Sequence, residues 1–203
     1  MSKALDLLKA NMNDIFKPVA VLLAICIIIP LALSVTNKVT EKKIEELKVK
    51  TQNETMSKLI KADEYVSEKY NKDDADFSYN IAKKNGEIKG YIFANSAKGY
   101  GGDITVMTAL DDKGKILEIA VTDASNETPG LGQNVTKEDF YGQYKDKHDG
   151  VYVVKGGNGG NGNTVDAVTG ATISSKAVNT AVSEAIESFK LITVKGEVAL
   201  DEK

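Results

Sequence analysis

Arginine is missing from the chain: all 26 basic residues are lysine. The planar, bidentate readout of phosphates and base edges that arginine supplies is therefore excluded, and with a net charge of only -3 the composition points away from a nucleic-acid partner. Cysteine is almost missing too. The single Cys26 lies in an apolar run, which excludes an intrachain disulfide and a thiolate metal cluster. One histidine, His148, sits in the polar string Lys145-Asp146-Lys147-His148-Asp149, where a solvated surface position is expected, and a histidine metal site or a Ser-His triad is hard to build from it.

Charge is absent from Pro18 to Asn37, and the central V-A-V-L-L-A-I-C-I-I-I-P-L-A-L is about the length that crosses a hydrocarbon core, roughly 20 residues. The run is long for the hydrophobic part of a signal peptide, and no A-x-A site follows Leu33. The tetrad L-A-I-C carries isoleucine where a lipoprotein signal wants a small residue, and half of the apolar run follows it. An uncleaved transmembrane anchor over 18–37 is expected, after a short tail over 1–17. Having no ionisable residue, one such helix offers no ion pathway. Lys3, Lys9 and Lys17 precede the span, and Lys38, Lys42, Lys43, Lys48 and Lys50 follow it. That balance favours a cytoplasmic carboxy-terminal domain, whereas a short basic tail beside a single span fits an anchor that leaves the tail inside.

With 203 residues, 42% of them hydrophobic, the remainder suffices for one globular domain. Ile44 and Leu47, then Met56, Leu59 and Ile60, recur at helical spacing, which predicts a helical stalk over 38–70. From 71 onwards the pattern changes. F-S-Y-N-I-A and I-K-G-Y-I-F-A-N flank Asn85-Gly86, the strongest short hairpin signal, and D-I-T-V-M-T-A-L and I-L-E-I-A-V-T-D flank a turn over 111–115. Glu127-Thr128-Pro129-Gly130-Leu131-Gly132 breaks any regular element and predicts a structured loop. A short helix is predicted from Thr136, as its N-cap, to Tyr144, then a strand over 151–154. Ile173, Ala177, Val178, Ala181, Val182, Ala185, Ile186 and Phe189 share one face of a last amphipathic helix. The expected class is α+β: an antiparallel sheet with packed helices, preceded by the single anchor helix.

The glycine run over 156–163 lacks the Gly-Lys-Ser/Thr of a nucleotide loop, and the hairpins contradict a dinucleotide fold, so it reads as a flexible loop. The stretch Asp166-Ala-Val-Thr-Gly-Ala-Thr172 is placed differently, at the start of the last helix. There unsatisfied backbone N–H groups and a partial positive charge favour a phosphate on the Thr172 oxygen, and Gly170 and Ala171 leave room for a bulky group. A plain N-cap role for Thr169 or Thr172 is the competing explanation.

This stretch resembles the D-x-x-S/T-G-A-T flavinylation motif of FMN-binding domains, found in the G subunit of the Rnf ion-translocating ferredoxin:NAD oxidoreductase and the C subunit of the sodium-pumping NADH:quinone oxidoreductase. The resemblance extends to the anchor, the stalk, G-Y-G-G-D-I near Gly99 and E-T-P-G-L-G at 127–132. It implies an FMN-binding domain over 71–203 with FMN joined to Thr172 by a phosphoester. Asp166, Thr169, Gly170 and Ala171 would belong to the sequence read by a flavin transferase, and Glu127, Thr128, Leu131 and Gly132 would lie close to the flavin. The protein implied is an electron-carrying subunit of an oxidoreductase in the cytoplasmic membrane, with its flavin domain on the extracytoplasmic side and with membrane and peripheral subunits of the redox pump as partners. The absence of any large insertion between stalk and first hairpin looks more like the Rnf G subunit than the longer C subunit. A membrane-anchored exterior binding domain without redox activity is the alternative of another class.

Overall fold

The computed structural model describes residues 2–72, 75–156 and 162–194, with side chains left out at 2–17, 35, 37–39, 41–49 and 194. Most of the glycine run, at 157–161, lies outside the described residues. The chain divides into two units, Met1–Thr51 and Gln52–Lys203. The first is most of one helix, α1 (Ser2–Leu59), which contains Pro18 and Pro30. Its described side chains from 18 to 34 are all exposed, Leu22, Ile28 and Leu33 among them. At its polar end Thr36 and Thr40 turn their hydroxyls onto the carbonyls of Ala32 and Thr36, both at 2.9 Å. Among the described residues no helix is long and apolar enough to cross a membrane. The expected span 18–37 passes through positions 35 and 37, whose side chains are not described.

The second unit is built on a five-stranded antiparallel meander, β1 (Glu64–Lys72), β2 (Ala75–Lys84), β3 (Glu87–Lys98), β4 (Asp103–Leu110) and β5 (Ile116–Asp123), in sequential order. Asn85 and Gly86 both take positive φ, 54° and 82°, as a two-residue hairpin turn demands. In the second turn the Asp111 carboxylate accepts the N–H groups of Lys113 and Lys115 at 2.9 and 2.8 Å. The helix expected over 38–70 ends at Leu59, and β1 begins at Glu64 within that range. Tertiary bonds make that break: the Tyr65 hydroxyl donates to the Ile60 carbonyl at 2.5 Å, and Asp63 accepts the Asn85 N–H at 3.0 Å.

Both faces of the meander are covered. On one, Tyr91, Phe93, Ile104, Val106 and Leu110 meet Val178, Ala181, Val182, Ile186 and Phe189 of α3 (Thr172–Val194) in one continuous core. Tyr91 and Phe189 lie 5.3 Å apart in a tilted pair. On the other, Ala82, Ile92, Met107 and Ala109 receive Met56 and Leu59 from the end of α1 and Ile60 just after it. Strand alternation explains the division, since odd and even residues of β3 and β4 point to opposite faces.

After β5 come a 3₁₀ turn (Gly132–Thr136), the short α2 (Glu138–Tyr141) and a second 3₁₀ turn (Gly142–Tyr144). The single helix capped by Thr136 is thus corrected. Thr136 donates to the Gln133 carbonyl at 2.8 Å, and Lys137, in extended backbone, precedes α2 without a side-chain cap. Two three-residue strands, β6 (Tyr152–Val154) and β7 (Thr164–Asp166), pair in parallel and deliver the chain to α3. β6 coincides with the expected strand. β7 carried no sequence signal, being three residues beyond a glycine run.

Candidate functional site

At the entry to α3 the chain is tied down by Ser175, and neither Thr169 nor Thr172, the competing N-cap candidates, bonds through its hydroxyl among the described residues. The buried Ser175 hydroxyl donates to the Ala171 carbonyl at 2.9 Å and accepts the Val168 N–H at 3.0 Å. Gly170 turns the chain at φ 77°, and Ala171 donates its N–H to the Val168 carbonyl at 2.9 Å. Thr172 is left half-buried at the first helical position, with no hydrogen bond from its hydroxyl among the described residues.

Facing it is the loop after β5. Its Leu131 and Gln133 N–H groups both donate to the Thr128 carbonyl, at 3.1 and 3.2 Å, which curls Thr128–Gly132 over the helix start. Glu127, between the polar Asn126 and Thr128, is only 3% exposed. One oxygen accepts the backbone N–H groups of Tyr100 and Gly101 at 2.7 and 3.0 Å, and the other accepts the Ser174 hydroxyl at 2.9 Å. Glu127 therefore ties three segments together: the 99–102 turn, its own loop and α3.

These segments enclose a cleft of about 610 Å³, lined by Tyr100, Glu127, Thr128, Leu131, Gly132, Gly170, Ala171, Thr172, Ile173 and Ser174. Seven of the site positions expected from sequence converge here. Asp166 and Thr169 do not; they line a separate cleft of about 290 Å³ with Lys137, Asp139 and Gln143. The Gln143 side chain accepts the Asp166 N–H at 2.8 Å and donates to its carbonyl at 3.4 Å, which fixes the strand that leads into the motif.

Tyr100, Ile173 and Ser174 escaped the sequence reading as site residues. Tyr100 is flanked by glycines, a signal of close backbone approach, and Gly101 indeed has no room for a Cβ, which would stand 2.0 Å from the Asn126 carbonyl oxygen. Ile173, expected on the core face of α3, is instead 54% exposed at the cleft, and the buried positions of the first turn are Ser174 and Ser175.

The cleft suits a molecule with a flat apolar ring and a phosphate. Its volume is within the roughly 300 to 1,000 Å³ usual for small-molecule sites. Tyr100, Leu131 and Ile173 expose large apolar surface around it, and the floor cannot be filled by side chains. A Cβ on Gly132 would lie 2.1 Å from a Glu127 oxygen, and one on Gly170 would meet Leu131 at 2.9 Å. The α3 amino terminus supplies backbone N–H groups and a partial positive charge beside the Thr172 hydroxyl. Among the described residues no cluster of His, Cys, Asp and Glu is arranged to hold a metal ion.

Comparison with known proteins defines the class first: residues 99–187 match the FMN-binding domain. The chain is 34% identical over 184 residues to the G subunit of the proton-translocating ferredoxin:NAD(+) oxidoreductase complex of Clostridium ljungdahlii, covering 90% of this chain and 96% of that one. It is 33% identical over 193 residues to the G subunit of the Na(+)-translocating ferredoxin:NAD(+) oxidoreductase complex of Acetobacterium woodii, covering 87% and 92%. Among solved structures it is similar to NqrC of Shewanella oneidensis, with 26% identity and a TM-score of 0.50 over 61% of this chain and 66% of that one. The chain belongs to the family of G subunits of ion-translocating ferredoxin:NAD(+) oxidoreductase complexes.

Proposed function

We propose that this protein is the membrane-anchored electron-transfer subunit of a Rnf-type complex and that it carries FMN joined through a phosphoester to Thr172. The observation that carries the reading is the Thr172 hydroxyl at the start of α3, unbonded among the described residues, in a cleft with an apolar rim and a glycine floor. Neither Thr169 nor Thr172 bonds through its hydroxyl among the described residues, and Ser175 fixes the turn by bonding the Ala171 carbonyl and the Val168 N–H. When bound, FMN supplies the redox chemistry, and the chain supplies position, solvent exclusion and local charge. The first turn of α3 holds the phosphate, with Gly170 and Ala171 giving it access. Leu131, Ile173 and Tyr100 would hold the ring by apolar contact, with Thr128 in the same lining. A tether of this kind keeps the carrier loaded in every redox state without reliance on binding affinity.

Asp166 and Thr169, outside the cleft, belong to the surface that a flavin transferase reads. The exposed apolar side chains of α1 between 18 and 34 support a single membrane anchor over 18–37, with the flavin domain on the extracytoplasmic side, where the transferase acts. The partners are the other membrane and peripheral subunits of the complex.

Coexpression with a flavin transferase tests the linkage. The full-length protein is expected to show flavin fluorescence that survives a denaturing gel and an intact mass raised by one FMN less one water, both lost in Thr172→Ala. A parent without added mass, or a Thr172→Ala variant that behaves like it, overturns the reading. Protease treatment of sealed cells tests sidedness: cleavage of the domain only after the membrane is broken would refute the exterior placement.

A further inference from the structure

Glu127 is the buried carboxylate of the described core, and its surroundings go beyond what a strut requires. Burying a charge is costly unless it is paired or hydrogen-bonded. Here two backbone N–H groups and one hydroxyl address its two oxygens, and among the described residues no lysine pairs with it. Backbone closes around both oxygens: a Cβ at Gly99 would lie 2.3 Å from one, and at Gly132 2.1 Å from the other. Every contact is with a donor, so the arrangement is made for an acceptor-only carboxylate. Its charge is thus met by dipoles and by no cation, in the wall of the cleft that Thr172 borders.

We infer that Glu127 is a positioning residue for the flavin cleft and that its fixed negative charge holds the flavin midpoint potential down. The inference rests on the assignment of FMN to this cleft. Each electron taken up there without a proton adds one negative charge to the site, and a buried carboxylate in the same wall disfavours that charge in a medium of low dielectric. A purely mechanical strut needs the hydrogen bonds and not the charge: a glutamine of the same reach keeps the acceptor for the Tyr100 and Gly101 N–H groups, and its amide N–H can donate to the Ser174 hydroxyl turned to accept it.

The test is spectroelectrochemical titration of the full-length flavinylated protein, with the electrode as electron source, after denaturing-gel fluorescence has established loading. Glu127→Gln keeps acceptor and reach and removes the charge. At a fixed ambient potential it is expected to raise the reduced-to-oxidised ratio by roughly tenfold or more. Ser174→Ala keeps the charge and removes one compensating donor, so its ratio is expected to fall. Shifts of opposite sign identify the charge, because simple loosening of the cleft would move both variants the same way. A loaded Glu127→Gln protein with unchanged potential overturns this inference and leaves the Thr172 assignment standing. A parent with no covalent flavin overturns both. Should Glu127→Gln fail to fold, Ser174→Ala decides alone, and an unchanged or higher ratio refutes the charge effect.

Discussion

Gly101 and Gly130 both sit in loops beside the cleft, and the chain needs them for different reasons. Gly130 adopts φ 74° with open space where a Cβ would go, so Gly130→Ala pays only the left-handed torsion, about 1 to 2 kcal/mol. A Cβ at Gly101 meets backbone at 2.0 Å, and Gly101→Ala must displace the 99–102 turn from Asn126 at a cost of about 3 kcal/mol. Denaturant unfolding of the two variants is expected to rank them in that order, and equal losses would contradict the contact. The loop E-T-P-G-L-G was legible as a loop from its proline and glycines. The burial of Glu127 was not, because a carboxylate between Asn126 and Thr128 has the local surroundings of a solvated residue, and its donors come from positions 100, 101 and 174.

At the scale of elements, α3 was the most legible, since its apolar positions recur at helical spacing and the sheet beneath it imposes the same face. Phe189 packs against Tyr91 in that core, and Phe189→Ala is expected to cost about 3 to 5 kcal/mol in chemical unfolding. Ile173 continues the pattern in sequence but lies at the cleft. Ile173→Ser is therefore expected to change stability by about 0.5 kcal/mol or less, while leaving the flavin more open to iodide, read as stronger quenching of its fluorescence. A large loss of stability without a change in quenching would return Ile173 to the core. β1 was the longest strand not legible in the sequence. Its sequence E-Y-V-S-E-K-Y-N-K is rich in charge because it is an edge strand, where outward charges also discourage pairing with other chains, and only Tyr70 is fully buried.

For the molecule as a whole, pH reports how the domain is held together. Burial pushes the Tyr144 phenol far above its ordinary value, and the group sits in the core with its hydroxyl donating to the Asn179 side-chain oxygen Oδ1 at 3.4 Å. A phenol whose folded pKa is raised contributes fully below its unfolded value of about 10 and loses that contribution as pH rises further. Stability is expected to fall above about pH 10, and less steeply in Tyr144→Phe; identical alkaline profiles would contradict this. On the acid side Lys115 and Lys190 hold the carboxyls of Asp146 and Asp149 below the usual range. Their contribution is present above the unfolded carboxylate value of about 4 and is lost as pH falls below it, and the exposure of both pairs keeps the effect small.

The sequence by itself determined the repeating features: the uncharged run from 18 to 37, the hairpin at Asn85-Gly86, the amphipathic last helix and the position of Thr172 at its start. Each follows from neighbours within a few residues, whose periodicity or torsional freedom is local. Tertiary structure alone decided that Thr128–Gly132 curls over that helix start, that Ser175 closes the turn and leaves Thr172 unbonded, and that Asp166 and Thr169 face a different cleft. Those outcomes depend on hydrogen bonds and close backbone approaches between segments tens of residues apart, which no window along the chain contains.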